Sequence, residues 1–181
     1  PSPSPHEPER RRRKMSPSLL RIEPLTSDSF APFGEVISAN DARTTYAVND
    51  GTAQRFHALA RVETEGGATV MSIFRAQPRA LPFEIKMLER HPRGSQAFIP
   101  LSGAPYLVVV AADPTQPPRA FLATGHQGIN FHKGTWHHPL LALERESDFL
   151  VVDREGDDDN CDEAVLTQSW QIPGPLPVGR A

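Results

Sequence analysis

The sequence contains few of the residues that cross-linked, thiolate-bound or membrane-spanning proteins need. Its 181 residues include one cysteine, Cys161, which excludes an intrachain disulfide and every zinc site built from several cysteines. No run of about eighteen apolar residues occurs, so we expect no transmembrane helix and no membrane partner. A single cysteine also fits a reducing compartment, and we therefore expect a cytoplasmic protein.

Positive charge is scarce outside one short run. The chain has 19 Lys and Arg against 22 Asp and Glu, a formal net charge of -3. Residues 10–14 are all basic and stand in a Pro/Ser-rich segment near the N-terminus, so the remainder of the chain is more acidic still. An acidic domain repels phosphate backbones, which argues against nucleic acid as a partner.

The length predicts one folded domain with loose ends. Residues 1–18 form a basic Pro/Ser/Arg-rich leader without the apolar stretch and cleavage site of a secretion signal, so we expect a solvated tail there. Residues 171–181 are proline-dense and are expected to be loose as well. Residues 19–170 remain as the folded domain.

The apolar pattern predicts an all-β protein. With 19 prolines and 12 glycines, the chain is divided into roughly eight to ten short strands, and no long amphipathic helix competes with them. One short helix is expected from an N-cap at Thr26 through Phe30. The clearest strands are expected at residues 34–38, 70–75, 83–90, 106–111, 120–124 and 147–152. Many short strands with frequent turns indicate an antiparallel sandwich or barrel.

The segment 88–100 contains the first candidate site. Glu89 and His91 are two residues apart, and in a strand they share a face. Oxygen and imidazole ligands together suit a divalent transition metal. By itself, such a pair is more often part of a salt-bridged surface strand.

A second stretch, residues 125–139, holds four of the seven histidines. After the turn at Gly134, a strand would place His137 on one face and Trp136 and His138 on the other. A single histidine is more often structural than a ligand. Two such stretches, each with a glycine turn and each leading into an apolar strand, indicate a shared site.

The two stretches together resemble the two cupin motifs. The first cupin motif usually reads His-x-His-x(3–4)-Glu, and the second ends in Gly-x2-His. Here His91 and His137 match, while Glu89 replaces the first histidine and Gln96 replaces the glutamate. The resemblance implies a cupin-like antiparallel β-barrel of the jelly-roll type, with a few short helices.

The residues around these positions resemble a narrower group, the bacterial-type ureidoglycolate lyase family. The similarity extends from about residue 22 to 166 and rests mainly on the strings LERHP, GSQAFIPL and GTWHHPL at residues 88–92, 94–101 and 134–140. It implies an enzyme that splits ureidoglycolate into glyoxylate and urea in the breakdown of allantoin and purines. It also implies a homodimer and a divalent metal, most often nickel.

The resemblance suggests which residues bind the metal and which take part in catalysis. The expected metal ligands are Glu89, His91, Gln96 and His137. Candidate proton carriers are Glu89 and three histidines, because carboxylates and imidazoles transfer protons near neutral pH. These histidines are His132, His137 and His138. We place His132 ahead of His138, which strand alternation puts on the face opposite His137.

Substrate binding is assigned to Arg90, Arg55 and Gln96. A guanidinium can hold a carboxylate through two hydrogen bonds. Arg90 has a second interpretation, an outer-face salt bridge, because it alternates with Glu89. Arg55 could reach the mouth of the barrel from a neighbouring strand or from a partner subunit.

Two other functions fit the same residues. The chain could be another metal-dependent cupin enzyme, an isomerase or a dioxygenase, acting on a small hydroxy or keto acid. It could also be a cupin that senses such an acid without converting it. No helix-turn-helix or other output module is recognisable in the sequence, which counts against a sensor.

Overall fold

The computed structural model describes residues 16–176, which are folded mostly as strands. In chain order the strands are β1 (Ser18–Leu19), β2 (Ile22–Pro24), β3 (Gly34–Ile37), β4 (Thr45–Val48), β5 (Ala53–Phe56), β6 (Ala68–Ala76), β7 (Phe83–Arg90), β8 (Gln96–Pro100), β9 (Tyr106–Ala111), β10 (Arg119–Ala123), β11 (Gly128–Phe131), β12 (Trp136–His137), β13 (Leu141–Ala142), β14 (Ser147–Glu155) and β15 (Asp162–Ile172). One α-helix, α1 (Ser27–Phe30), and two 3-10 turns, at Ala39–Asp41 and Asn49–Gly51, are the helical elements of this part of the chain.

Several elements lie where the sequence pattern predicts them. β7 and β9 coincide with the expected strands at 83–90 and 106–111. Thr26 caps α1 as predicted, because its hydroxyl accepts a hydrogen bond from the backbone N–H of Ser29 at 3.2 Å. The expected number of strands, eight to ten, was too low. Strands of two residues, such as β1 and β12, are too short to show any periodicity.

The strands form two sheets and a separate hairpin. The larger sheet has the order β1-β15-β7-β12-β9-β10-β2, with β13 also paired to β9, and the smaller one has the order β3-β11-β8-β14-β6. Pairing is antiparallel except for β1 with β15 and β2 with β10. The larger sheet is curled and its concave side faces the smaller sheet, which gives the all-β, cupin-like barrel that the sequence predicts.

Successive side chains of β9 point to opposite faces of the sheet, which shows why this barrel has two cores. Tyr106, Val108 and Val110 belong to the cluster enclosed by the two sheets, which we call the inner core. Leu107 and Val109 belong to a second cluster on the opposite face, which we call the outer core. β9 is therefore buried on both faces, as its uninterrupted apolar sequence predicts.

Strand pairing and core packing continue to both ends of the described residues. Ser18 pairs with Trp170 through β1 and β15, so the fold begins inside the expected leader. Ile172 is fully buried and Leu176 packs against the outer core, so the fold also extends into the expected tail. Proline density predicts an irregular path, but apolar side chains in such a path can still dock on the sheet. The rest of the leader and tail, residues 1–15 and 177–181, lies outside the described residues.

Among residues 16–176, no helix has the length and apolar character that crossing a membrane requires.

Candidate metal centre

Glu89, His91 and His137 converge at one end of the inner core. β12 pairs with β7 so that His137 lies directly opposite Glu89. Glu89 Oε1 is 3.5 Å from His137 Nε2 and 4.0 Å from His91 Nε2. The three potential ligand atoms all lie within 4.8 Å of one another. Metal–ligand bonds of about 2.0–2.2 Å place donors of one ion roughly 3 to 4.4 Å apart, so this spacing suits a metal ion.

Backbone carbonyls orient both imidazoles. His137 Nδ1 is 2.9 Å from the carbonyl oxygen of Thr135, and His91 Nδ1 is 2.7 Å from that of Asn160. A carbonyl can only accept, so each Nδ1 carries the proton and each Nε2 has a free lone pair. Both Nε2 atoms are buried and have no hydrogen-bond partner. This is how metal-binding histidines are commonly held.

Gln96 places a third unpartnered atom near the same place. Only 7% of its surface is exposed, and its Nε2 donates to Asp153 Oδ2 at 3.2 Å. Its Oε1 is buried without a partner. Gln96 lines a cavity of about 380 Å³ together with Glu89 and His137, and it lines a cavity of about 240 Å³ together with His91. Buried polar atoms are nearly always satisfied, so the oxygen and the two imidazole nitrogens fit a cation.

Electrostatics keep Glu89 ionised. The close approach of His137 is the main cause that lowers the pKa of Glu89, and burial opposes this lowering. The carboxylate is therefore charged at neutral pH. Burial, the largest effect, lowers the pKa of His138, so this imidazole is neutral there.

Aromatic packing fixes the ring of His137 from the other side. The Phe131 ring stacks on it with centroids 4.1 Å apart and planes inclined by 14°. Phe98 packs against Phe131 edge-on at 6.1 Å. Phe98 also lines the 380 Å³ cavity, as do Phe74 and Leu140. The candidate ligands therefore face a largely apolar wall, which lowers the local dielectric constant and strengthens the charge interactions.

Two histidines predicted to act in catalysis lie outside this cluster. His132 Nδ1 is 3.7 Å from Glu35 Oε2, and His132 lines a different cavity, next to β3. His138 follows His137, but its ring packs edge-on against Phe83 at 5.4 Å and its Nδ1 donates to the carbonyl of Pro139 at 2.8 Å. Neither belongs to the group of ligand atoms formed by Glu89, His91 and His137.

The two predicted substrate-binding arginines also have other surroundings. Arg90 Nε is 2.8 Å from Asp162 Oδ2, and its guanidinium lies 4.8 Å from the centroid of the Trp136 ring. Trp136 packs against the outer core, so Arg90 adopts the outer-face interpretation. Arg55 is exposed on β5, in the β4–β5 hairpin, with its guanidinium 5.9 Å from the Tyr46 ring.

The sequence reasoning missed residues that support the cluster. Cys161 Sγ lies 3.9 Å from Glu89 Oε2, although the acidic loop around it has the composition of a solvated surface segment. Thr135 and Asn160 contribute backbone carbonyls, and backbone atoms leave no trace in residue identity. The Asn160 side chain reinforces its loop by accepting from the backbone N–H of Arg93 at 2.8 Å.

Comparison with known proteins identifies the family. Residues 17–173 match the family described as ureidoglycolate lyase. The ureidoglycolate lyase of Brucella ovis is 56% identical over 155 residues, covering 82% of this chain and 90% of that protein. The ureidoglycolate lyase of Pseudomonas savastanoi pv. phaseolicola is 49% identical over 166 residues, covering 87% and 97%. The ureidoglycolate lyase of Burkholderia cepacia is 52% identical over 160 residues, covering 85% and 90%. The chain belongs to the ureidoglycolate lyase family.

Proposed function

We propose that this protein splits ureidoglycolate into glyoxylate and urea. The observation that carries the proposal is the convergence of Glu89, His91 and His137 in a chain of this family. The site is concave and partly apolar, as sites for small molecules usually are. It also has a charged carboxylate beside two imidazole nitrogens that have free lone pairs.

The reaction needs one proton to move between two atoms of the substrate. The substrate hydroxyl loses its proton as its C–O bond becomes the carbonyl of glyoxylate. The C–N bond breaks with its electron pair, and the released urea nitrogen takes up a proton. One group that accepts the first proton and returns it to nitrogen therefore completes the reaction without a net change.

Glu89 is our candidate for this proton carrier. Its Oε1 faces the two imidazoles, while Oε2 faces the Cys161 thiol at 3.9 Å. Its lowered pKa keeps it ready to accept a proton at neutral pH. His138 is the second candidate. Burial lowers its pKa and keeps the imidazole neutral, and because Nδ1 donates to the carbonyl of Pro139, Nε2 is the nitrogen that can accept a proton. We assign His132 no proton transfer, since it contacts Glu35 beside another cavity.

We further propose that the cluster binds a divalent cation, with nickel as the first metal to test. Glu89, His91 and His137 would hold it, with Gln96 Oε1 as a neutral fourth ligand. A cation there would supply a Lewis acid for the α-hydroxy carboxylate of the substrate. The ligand set carries a single negative charge, so the bound ion would retain a net positive charge toward an anionic substrate.

Substrate turnover tests the proposal directly. Purified protein with racemic ureidoglycolate should release glyoxylate and urea in equal amounts, well above the spontaneous rate. Chelation should abolish the release, and added nickel should restore it. The variant H126Q is the matched control, since His126 is exposed on a turn away from the cluster. Glyoxylate release at the spontaneous rate in the metal-loaded protein would refute the lyase function.

We also propose a homodimer formed through β6. This strand is an edge of the smaller sheet, and it exposes Met71 by 75% and Ile73 by 55%. An exposed apolar edge strand invites another strand to pair with it. A second copy is the natural occupant because two β6 edges related by a two-fold axis can pair antiparallel. Light scattering should give twice the chain mass, and M71K/I73K should give the monomer mass.

We place the protein in the cytoplasm. The Cys161 thiol lies next to Glu89, where oxidation would add bulk and charge to the site. A reducing compartment keeps such a thiol intact. Fractionation of cells that express a tagged chain would test this location.

A further inference from the structure

A second cavity, of about 340 Å³, lies beside β3 and α1. We call it the β3 cavity. Its wall includes Glu35 from β3, His132 after β11, and the segment 58–61 that crosses in front of them. It shares no lining residue with the cavities that border Glu89, His91 and Gln96. It is therefore a separate site.

One wall of the β3 cavity presents a rigid carboxylate. Glu35 Oε2 accepts from Asn130 Nδ2 at 2.8 Å and lies 3.7 Å from His132 Nδ1. Asn130 is 1% exposed, and it also donates to the carbonyl of Arg61 at 2.9 Å, which ties the crossing segment to the sheet. Its own Oδ1 is buried without a partner. Glu35 thus keeps acceptor capacity for a ligand that brings N–H donors.

Two arginines also line the β3 cavity. Arg43 and Arg61 both line the cavity and are exposed. Within residues 16–176, neither guanidinium forms a salt bridge or a side-chain hydrogen bond, whereas seven other Lys and Arg side chains pair with acids. Unpaired arginines at a concave surface can bind a carboxylate through two hydrogen bonds each.

The segment 58–61 of the β3 cavity contains an uncommon backbone conformation. Ala58, which lines the cavity, has a φ of 51°. This left-handed conformation is unfavourable for a residue with a Cβ and persists only where the surroundings impose it. This conformation fixes the path of the backbone at one point of the cavity lining.

We propose that the β3 cavity binds a small organic acid that carries N–H donors at the end opposite its carboxylate, the class of ureido and amino acids. Arg43 and Arg61 hold the carboxylate, and Glu35 accepts from the N–H groups. The volume lies at the lower end of the range for small-molecule sites, about 300–1,000 Å³. The inference depends on the proposed lyase function only for the choice of probe.

The probe is N-carbamoylglycine, which has a ureido group and a carboxylate but no α-hydroxyl, so it cannot be split. Equilibrium dialysis with the labelled acid should show two bound molecules per chain. R43Q/R61Q should retain one, with turnover of ureidoglycolate unchanged. H137A should also retain one bound molecule, the one in the β3 cavity. The triple variant R43Q/R61Q/H137A should bind none. R21Q is the charge-matched control, because Arg21 is exposed and outside the cavity.

The recognition of N–H groups has its own test. Propionate has the carboxylate but no N–H donor, so it should bind the β3 cavity at least tenfold more weakly than N-carbamoylglycine. E35Q should reduce that difference. The same binding stoichiometry in R43Q/R61Q and in the unsubstituted protein would overturn the proposal. If the metal-loaded, unsubstituted protein does not turn over ureidoglycolate, the lyase function is refuted. The number of N-carbamoylglycine molecules bound per chain still tests the β3 cavity in that case.

Discussion

Glu89 and His137 face each other across the β7–β12 pair, with the carboxylate Oε1 3.5 Å from the imidazole Nε2. His137 is 2% exposed, and Phe131 stacks on its ring. The pair is therefore rigid before any ligand arrives. Glu89 Oε1, His137 Nε2 and His91 Nε2 form a preorganised set of potential metal-ligand atoms. Such a set avoids the entropic cost of assembling a site when the metal binds.

Removing the His137 imidazole should abolish metal binding and turnover. We expect H137A to lower kcat/KM by at least about 100-fold, since losing even a residue that supports a ligand typically costs 10–100-fold. Dialysis against nickel followed by metal analysis gives the bound fraction, and H126Q provides the comparison. Normal nickel content and normal turnover in H137A would place the site elsewhere.

Gln96 should contribute through its amide oxygen. We expect Q96L to weaken nickel binding by about tenfold, because it keeps the side chain's approximate size but removes the buried ligand atom Oε1. It also leaves Asp153 without the Nε2 hydrogen bond. Competition with a metal-sensitive chelator measures the change. Q116L, at an exposed position, should bind nickel normally; an unchanged affinity in Q96L would exclude Gln96 as a ligand.

The ion pair between Glu23 and Arg119 should make stability depend on pH. Arg119 donates to both carboxylate oxygens of Glu23, at 3.0 and 2.9 Å, and thereby links β10 to β2. The hydrogen bond from Arg119 is the main cause that lowers the pKa of Glu23 below its ordinary value of 4.5. The pair is partly exposed, so screening limits its contribution to about 0.5–1 kcal/mol.

Because the folded pKa of Glu23 is lowered, its stabilisation is present above the ordinary pKa and is lost as the pH falls through the folded value. Urea unfolding at pH 7 should therefore show E23Q less stable than the unsubstituted protein. At a pH of about 3 or below the two should converge. A difference that stays constant over this range would contradict the pairing.

Phe149 should be a major source of stability in the inner core. It is fully buried, and its ring packs edge-on against Tyr106 at 5.1 Å. We expect F149A to lower the free energy of unfolding by about 3–5 kcal/mol, the usual cost of removing a buried phenylalanine. Denaturant titration measures it. F56A, on the exposed β4–β5 hairpin, should change stability by less than about 1 kcal/mol; equal losses would mean that the inner core is misassigned.

Local sequence pattern was a good guide where burial alternates or is continuous. β9 was placed correctly because its apolar residues run without interruption, and β7 because Phe83, Ile85 and Met87 alternate with charged residues over a short length. β15 was missed, since its sequence mixes charged and apolar residues and its register shifts between Val165 and Trp170. Strand alternation also placed Arg90 on the face opposite Glu89, where it pairs with Asp162.

The candidate site shows where local pattern stops. Residue types identified Glu89, His91 and His137 as potential ligands, but they could not reveal that the carbonyls of Thr135 and Asn160 orient the imidazoles. They also grouped His132 with His137, whereas the structure directs His132 toward Glu35 and another cavity. Five residues along a chain that turns at Gly134 are enough to reach a different surface.

The sequence by itself determined the all-β class, the family and the residue types of the candidate metal centre, because periodicity, turn residues and short motifs are local properties of the chain. The tertiary structure decided which of those residues meet. The register between β7 and β12 joins residues 48 positions apart, Glu89 and His137, through backbone hydrogen bonds that any residues could form. Side-chain identity carries little information about such pairing, so the proximity of these two residues emerges only from the folded barrel.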